Sequence, residues 1–384
     1  MAPEDHNVGL AEGEARRAED LYRGSVVIDL LFQGPLGARD FTPEMDAEIR
    51  ARWDATHDAL AVTLHALQLP AKLAVQGKLD SFHREWLRSG LTGGNRQVEL
   101  ATFDLFAETF SGVQEQFDGF DWLVKALTAE DFRRAKSEGK IAGFISTQLV
   151  TGPPPSLELL DHAHRLGLRM LQLTYNSKST IGSGCTERTD DGLSVFGAAV
   201  VERLNKLGVI VDTAHCGHRT TLDACKLSER PVIASHTSAR EVFDHDRAKS
   251  DDELRALAET GGVIGIYAVP FFISSDPKTA GVDTWLDHVD HVAELVGPQH
   301  VAIGTDWPMQ LPEWALTDIF LPLSAEIGFR PEHGVDPLMS LGGFSHYLEF
   351  VNLAKGLVAR GYEDREIEGI LGENFLRVFE SVCG

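Results

Sequence analysis

The stretches VIVDTAH (209–215) and PVIASH (231–236) decide the fold of this chain. Each is a short apolar run that ends in a histidine, and a more polar stretch of helical length lies between them. Short buried strands that alternate with helices are typical of a parallel sheet, because a helical crossover returns the chain to the same edge. The two stretches therefore predict neighbouring parallel strands whose carboxyl ends carry imidazoles.

The same alternation recurs along the chain. Apolar runs of strand length stand at eight places: 25–29, 59–65, 141–148, 168–175, 209–215, 231–236, 262–267 and 301–306. Eight such units predict a (β/α)8 barrel, an α/β fold of the TIM barrel type. We expect a single domain over residues 1–384, with a helical insertion at about 66–140 between the second and third strands. The glycine-rich stretch SGLTGG (89–94) is interpreted as a turn.

Composition excludes two classes of partner. The chain has 58 acidic against 35 basic residues, and its net charge of -23 repels nucleic acid and anionic membranes. No apolar run has the length of a membrane span. The four cysteines show no paired spacing, which favours a reducing, cytoplasmic location. We expect a small-molecule substrate and leave a homodimer open.

Polar side chains stand at the end of each predicted strand. Because the carboxyl ends of barrel strands converge on one face, we expect these residues to surround the active site. They are Asp29, His65, Gln148, Tyr175, His215, His236, Tyr267 and Asp306. Imidazole and carboxylate groups suit zinc, iron or manganese. His65 and Tyr267 are interpreted as structural, and Asp306 either caps the next segment or acts as a base or metal ligand.

The first predicted strand raises a separate question. It reads SVVIDLLFQGP (25–35), so that Asp29 ends an apolar run and three bulky residues follow it. Asp29 is either a loop cap or buried salt bridge, or a metal ligand in an apolar pocket. In the second case Leu31 and Phe32 form the pocket wall and contact the substrate.

Five segments carry a recognisable pattern: GLSVFGAAVVERLNKLGVIVDTAH (192–215), RPVIASHTSAR (230–240), DRAKSDDELRALAETGGVIGI (246–266), HVAIGTDW (300–307) and GILGENFLRVF (369–379). Together they resemble the membrane dipeptidase (renal dipeptidase, peptidase M19) family of amidohydrolase-like barrels. The resemblance implies zinc-dependent hydrolysis. It assigns two zinc ligands to His215 and His236, the substrate-binding arginine to Arg247 and the catalytic aspartate to Asp306.

The remaining ligands that the resemblance implies are absent. The family has a His-x-Asp pair after its first strand, where this chain has Leu31 and Gln33, and a bridging Glu at the position of Gln148. Tyr175 replaces a family histidine at the substrate edge. A neutral Gln148 can coordinate one metal through its oxygen, but it bridges two cations poorly. Ordinary dipeptide hydrolysis is therefore not expected.

Two residues have open interpretations. Glu187, in the loop after the fourth predicted strand, is either a substitute carboxylate for the metal or a surface residue paired with Arg188. Arg247 either anchors an anionic group of the substrate or forms a salt bridge to Asp246 or Asp251.

Three hypotheses of function follow. The first is a non-haem iron monooxygenase with one or two ions, which needs an electron donor and hydroxylates an apolar molecule such as a terpenoid acid or its thioester. Its ligand set is similar to that of the TIM-barrel non-haem diiron monooxygenase of diterpenoid antibiotic biosynthesis. The second is a zinc-dependent hydrolase of an amide, ester or lactone, with Asp306 as general base. The third is an inactive scaffold. The metal ligands expected are His215, His236, Gln148, Glu187, Asp29 and Asp306, and Tyr175 is a further catalytic candidate.

Overall fold

Nine short strands form one parallel sheet in the computed structural model, which describes residues 9–148, 154 and 156–384. In chain order they are β1 (Ile28–Asp29), β2 (Gly93–Gln97), β3 (Leu123–Lys125), β4 (Ile141–Thr147), β5 (Leu168–Gln172), β6 (Ile210–Asp212), β7 (Val232–Thr237), β8 (Ile264–Ile266) and β9 (Val301–Ile303). Eight of them follow the order β1-β2-β4-β5-β6-β7-β8-β9, and β3 pairs with β4 beside this path. All pairs are parallel.

Hydrogen bonds between the first and last strands nearly close the barrel. The Leu30 N–H donates to the Ile303 carbonyl at 2.9 Å, and the Asp306 N–H donates to the Leu31 carbonyl at 3.0 Å. The Asp29 carboxylate accepts hydrogen bonds from the Thr305 N–H at 2.8 Å and the Thr305 hydroxyl at 2.5 Å. The predicted (β/α)8 fold is thus confirmed.

Helices cover the outside of the sheet. Within the described residues the α-helices are α1 (Glu12–Gly24), α2 (Pro43–Thr56), α3 (Ala59–Val75), α4 (Asp80–Ser89), α5 (Phe103–Gly119), α6 (Ala129–Ser137), α7 (Leu157–Leu166), α8 (Val195–Leu207), α9 (His218–Leu227), α10 (Asp251–Glu259), α11 (Pro270–Ile273), α12 (Val282–Val296), α13 (Glu313–Ala315), α14 (Leu321–Glu326), α15 (Val351–Ala359), α16 (Asp364–Glu368) and α17 (Asn374–Cys383). A π-helical turn, Leu316–Phe320, joins α13 to α14. The fold and packing of α8 are typical: Ser194 caps its first turn, and Val200, Val201 and Leu204 are buried.

The prediction of the second strand is wrong. Residues 59–65 begin α3, whose first turn is capped by the Asp58 carboxylate accepting from the Ala61 N–H at 2.9 Å. The true second strand is β2, which overlaps the stretch interpreted as a turn. A Cβ on Gly94 would lie 2.8 Å from the Cβ of Phe32, so this strand is glycine-rich to let Phe32 approach.

The position of the helical insertion changes with that correction. Helices α2, α3 and α4 lie between β1 and β2, one unit earlier than predicted, while 66–140 also contains β2 and β3. Helix α3 contributes Leu60, Leu64 and Leu67 to the lining of a cavity at the carboxyl end of the barrel. That the whole chain forms one domain stays a prediction.

The hydrogen bonds of Asp29 predict a stability effect. Replacing it with alanine removes the acceptor of two buried backbone N–H groups, those of Thr305 and Leu31. We expect Asp29→Ala to lower the unfolding free energy by about 2–4 kcal/mol, because each buried donor without a partner costs about 1–3 kcal/mol. Denaturant titration measures this, and Asp20→Ala, an exposed aspartate on α1, should change it by less than about 0.5 kcal/mol. Equal stability of the two variants would contradict the closing role of Asp29.

Candidate active site

Two imidazoles meet at the carboxyl end of the barrel. His215 follows β6 and His236 lies within β7, and both side chains are buried. Their Nε2 atoms are 2.9 Å apart. The structure therefore brings together the two histidines that the sequence placed on neighbouring strands.

The hydrogen bonds of His215 determine which nitrogen carries its proton. Its Nδ1 lies 2.8 Å from the Asn176 Oδ1, and the Asn176 amide is oriented by its Nδ2 donating to the Ile327 carbonyl at 2.9 Å. Nδ1 must therefore be the N–H donor, and in the neutral ring Nε2 carries a lone pair. The Tyr175 ring stacks on the imidazole with centroids 3.9 Å apart and fixes its plane.

His236 is held in the same tautomer by a different chain of contacts. Its Nδ1 lies 2.8 Å from the Ser235 hydroxyl, which donates to the Asp212 carboxylate at 2.5 Å. Since the Ser235 proton points to Asp212, the hydroxyl oxygen accepts from Nδ1–H, and Nε2 again carries a lone pair. Such outer contacts are the ones that orient metal-binding histidines.

The Nε2 atoms of His215 and His236 are placed to bind a cation. Burial, with nearby Arg247 adding to it, lowers the pKa of both histidines well below the ordinary value, so both rings are neutral. Two lone pairs facing each other at 2.9 Å repel, whereas neutral imidazole is the form that binds a metal. The pair can therefore hold one divalent ion.

Gln148 is close to this pair but is not oriented as the sequence suggested. Its Oε1 accepts from Gln97 Nε2 at 2.9 Å, and its own Nε2 lies 3.3 Å from His236 Nε2. Gln148 thus presents N–H, not its oxygen, to His236. As placed it is a hydrogen-bond donor to the imidazole, and coordination of a metal by its oxygen stays a prediction.

Asp306 forms the acidic part of the site. It adopts a left-handed backbone conformation, with φ 56°, and its Oδ1 accepts from Gln33 Nε2 at 2.9 Å. Burial raises the pKa of Asp306 to about 7, against the opposing effects of Arg247 and the Gln33 hydrogen bond. A carboxyl group that is near its midpoint at neutral pH suits proton transfer.

Two expected carboxylate ligands point elsewhere. Asp29 uses its oxygens to close the barrel, accepting from Thr305 and from the Leu31 N–H at 3.1 Å. Glu187 is in the outer loop, where it accepts from the backbone N–H groups of Lys178 at 3.0 Å and Arg188 at 2.8 Å. The structure brings neither to the histidine pair.

The spacing of the potential ligand atoms also keeps these carboxylates apart from the two imidazoles. Within residues 9–148, 154 and 156–384, the group of three His, Cys, Asp or Glu whose ligand atoms lie within 4.8 Å of one another is Glu241, Asp251 and His291, outside the barrel mouth. Asp306 therefore does not join the two imidazoles in such a cluster. That the six predicted residues hold a metal together stays a prediction.

The residues predicted to contact the substrate do not line the cavity. Leu31 and Phe32 are buried, and the Phe32 ring packs on Trp86 and Tyr347 with centroids 4.7 Å apart in each case, inside the core. Arg247 is buried as well and donates to the Ala214 carbonyl at 2.6 Å. None of these three residues lines the cavity. Neither expected salt bridge of Arg247 forms, since Asp246 pairs with Arg330 and Asp251 with His291.

A cavity of about 730 Å³, counting its open mouth, lies above the histidine pair. Its polar floor is formed by Gln33, Gln97, Gln148, Tyr175, His215 and Asp306. Its upper wall comes from α3 and from the segment after β9. The sequence interpretation missed both Gln97, which ends β2, and the α3 face; Leu60, Leu64 and Leu67 have helical spacing that could have revealed that face.

Comparison with known proteins identifies the family. The model of the family described as Membrane dipeptidase (Peptidase family M19) matches residues 15–319. The chain belongs to this family. Its members are metallopeptidases that typically use zinc. The resemblance seen in the sequence is thus confirmed, and so is the assignment to a hydrolase family of metal-binding barrels.

Several solved structures share the fold. An amidohydrolase from Pseudomonas aeruginosa superposes with a TM-score of 0.72 and 23% identity, covering 95% of this chain and 98% of that one. The probable dipeptidase PvdM from the same organism gives 0.67 and 20%, covering 97% and 99%. A metallo peptidase from Rhodobacter sphaeroides, liganded with a phosphinate mimic of the dipeptide L-Ala-D-Ala, gives 0.63 and 18%, covering 77% and 88%.

No helix in the described ranges is long and apolar enough to cross a bilayer.

The residues present do not fit the two-zinc site that the family resemblance implies. Leu31 and Gln33 cannot supply the His-x-Asp ligands, and Gln148 carries no charge to bridge two cations. They do fit one ion on His215 and His236, because both Nε2 lone pairs converge.

Metal stoichiometry tests this geometry. We expect protein reconstituted with zinc, or with ferrous iron under anaerobic conditions, to keep at most one ion per chain after desalting, measured by plasma emission. His215→Ala and His236→Ala should each lower metal content at least tenfold, because each removes one of the converging donors. Glu187→Gln is the matched control and should keep the full content. Two ions per chain, or metal loss in Glu187→Gln, would contradict the assignment.

Proposed function

We propose that the protein is a metal-dependent hydrolase of the amidohydrolase type, acting on an amide, ester or lactone. The observation that carries this proposal is the convergence of the imidazole lone pairs of His215 and His236, with His215 and Asp306 both lining the cavity. Membership of a metallopeptidase family supports the same class of reaction.

One divalent ion, such as zinc, would be held by Nε2 of His215 and Nε2 of His236. When bound, it would polarise a substrate carbonyl and lower the pKa of a water molecule. The tautomers imposed by Asn176 and by the Ser235–Asp212 pair leave a lone pair on Nε2 of each ring, and the Gln148 N–H beside His236 Nε2 would give way to that ion.

Asp306 is the general base in this proposal. Gln33 holds one of its oxygens, which leaves the other free to accept a proton from the attacking water and to return it to the leaving group. The raised pKa, about 7, favours both transfers near neutral pH. Tyr175 positions His215, because its ring stacks on the imidazole and keeps it facing His236.

The geometry favours a hydrolase over the iron monooxygenase that was the first hypothesis. Non-haem iron sites that activate dioxygen combine two histidines with at least one carboxylate. The carboxylates of Asp29 and Glu187, which that hypothesis required, form other hydrogen bonds. A scaffold role is disfavoured by the buried Asp306 and by the facing imidazole lone pairs, which cost stability without serving a packing role.

Replacement of the base tests the role of Asp306. We expect Asp306→Asn to lower kcat about 10²–10⁴-fold, because it removes the proton acceptor while keeping the oxygen that Gln33 contacts. Metal content should not change, and Asp318→Asn, an exposed neighbour on the π-helical turn, should keep full activity. Retention of more than a tenth of the activity in Asp306→Asn would exclude it as the base.

The pH dependence has a defined sign. The base works in its ionised form, and burial raises the pKa of Asp306 to about 7 before any cation binds. A bound cation lowers that pKa, so we expect kcat/KM to be constant above pH 7 and to fall about tenfold per pH unit at a pH well below 7. A steady-state profile with an ester substrate measures this, and a rate that rises as the pH falls below 7 would show that the protonated acid is the active form.

A dioxygen test separates the two classes of enzyme. A panel of p-nitrophenyl esters, anilides and lactones should be turned over under strict exclusion of dioxygen and lose turnover when a chelator removes the metal. Activity that needs dioxygen and an electron donor would overturn the hydrolase proposal.

A further inference from the structure

We infer that the substrate is an uncharged carbonyl compound with a large apolar body, bound with its carbonyl at His215 and Asp306 and its body under α3. This inference rests on the proposed hydrolase function for the reaction at the carbonyl, but the binding preference can be measured separately.

The first observation is the composition of the cavity roof. Leu60, Leu64 and Leu67 project from one face of α3, and Phe320, Leu323 and Ile327 project from the π-helical turn and the segment that follows it. These two sets of side chains form opposite parts of one wall. An apolar wall of this extent in an open cavity is stabilised by an apolar occupant that displaces water.

The side wall of the cavity is also apolar. Phe271 and Phe272 follow β8, Trp307 and Met309 follow β9, and all four line the same cavity. In the roof, the Thr63 hydroxyl has no hydrogen-bond partner among the residues that the structure describes. The Thr63 hydroxyl is thus a polar group of the roof that an occupant could contact.

The second observation concerns charge. Among the lining residues within the described part of the chain, Asp306 is the one carboxylate, and there is no lysine or arginine. The Arg247 guanidinium lies behind the floor, where it donates to the Ala214 carbonyl at 2.6 Å. A zwitterionic dipeptide would bring an ammonium and a carboxylate into this cavity, and charges that lose water without a partner are strongly disfavoured.

The two observations together determine the substrate class. The floor has donors and a base for one carbonyl group, and the rest of the surface matches hydrocarbon. Amides, esters or lactones of medium-chain or alicyclic acids have this chemistry.

Acyl chain length gives the direct test. The probes are the p-nitrophenyl esters of acetic and hexanoic acid and the dipeptide L-Ala-L-Leu, assayed with metal-loaded enzyme. We expect kcat/KM for the hexanoate to exceed that for the acetate about 250-fold, since four added methylene groups each contribute about fourfold when buried. The dipeptide should be hydrolysed at least 100-fold less efficiently than the hexanoate.

A pair of leucine variants locates the effect in the roof. Leu64→Asp places a charge in the α3 face, and we expect it to lower the hexanoate-to-acetate ratio at least tenfold. Leu166→Asp is the matched control, since Leu166 is 41% exposed at the end of α7 and does not line the cavity. It should leave the ratio unchanged. Equal ratios in the two variants and the wild type would exclude the α3 face as the binding wall.

Direct binding separates this inference from the proposed function. Calorimetric titration of the wild-type protein compares N-hexyl hexanamide with N-ethyl acetamide, neither of which needs to be hydrolysed. Tight binding of the long amide alone, with no hydrolysis of any ester, supports the inference and overturns the hydrolase function. Hydrolysis without preference for chain length, or efficient dipeptide cleavage, overturns the inference and leaves the function standing. Absence of both binding and hydrolysis overturns both.

Discussion

The contact between Asp29 and Thr305 is the constraint on which the site depends. It joins the first strand to the segment after the last, beside the backbone hydrogen bonds from Leu30 to Ile303 and from Asp306 to Leu31 that bring the two edges of the barrel together. The same region carries a chain of hydrogen bonds: the Gln33 N–H donates to the Tyr347 hydroxyl at 3.0 Å, and that hydroxyl lies 2.9 Å from the Thr305 hydroxyl. By fixing the loop after β1, this chain sets the Gln33 side chain on Asp306. Closure of the barrel and orientation of the proposed base are thus parts of one network.

That network also accounts for a buried carboxylate at the end of the first strand, because the Asp29 oxygens accept hydrogen bonds from Thr305 and Leu31. The family places its His-x-Asp ligands two and four residues after the position of Asp29, on a loop that faces the cavity. In this chain Leu31 turns into the core, and Gln33 supplies an amide to Asp306 instead of a carboxylate to a cation. Gln97 and Gln148 form a second amide pair beside His236. Gln33 and Gln148 are therefore neutral amides at positions where the resemblance implies charged ligands. The site has less negative charge to balance the charge of metal ions.

Sequence patterns predicted seven of the eight barrel strands because those strands are apolar and buried. They failed at β2, GGNRQ, whose glycines and polar residues are selected by close approach of Phe32 and by the barrel interior, neither of which is a local property. Residues 59–65 misled for the opposite reason, since a short apolar run fits both a strand and a helix. Only the Asp58 cap and the continued spacing through Ala66 and Leu69 mark it as helix. The histidine pair was predictable from strand ends, whereas the directions of Gln148, Asp29 and Glu187 depend on partners that are distant in sequence.

The apolar cavity and the neutral donor set have a common physical consequence. Placing Asp306 next to hydrocarbon raises its pKa to about 7, so the wall that would hold an apolar substrate also produces a base that is active at neutral pH. A second cation in this site would reverse that effect, because its charge would favour the ionised carboxylate and lower its basicity. With one ion held, as we propose, the absence of a second cation and the apolar lining residues therefore act in the same direction. In such a site, proton transfer by Asp306 carries a larger share of the catalysis than it would beside two metal ions.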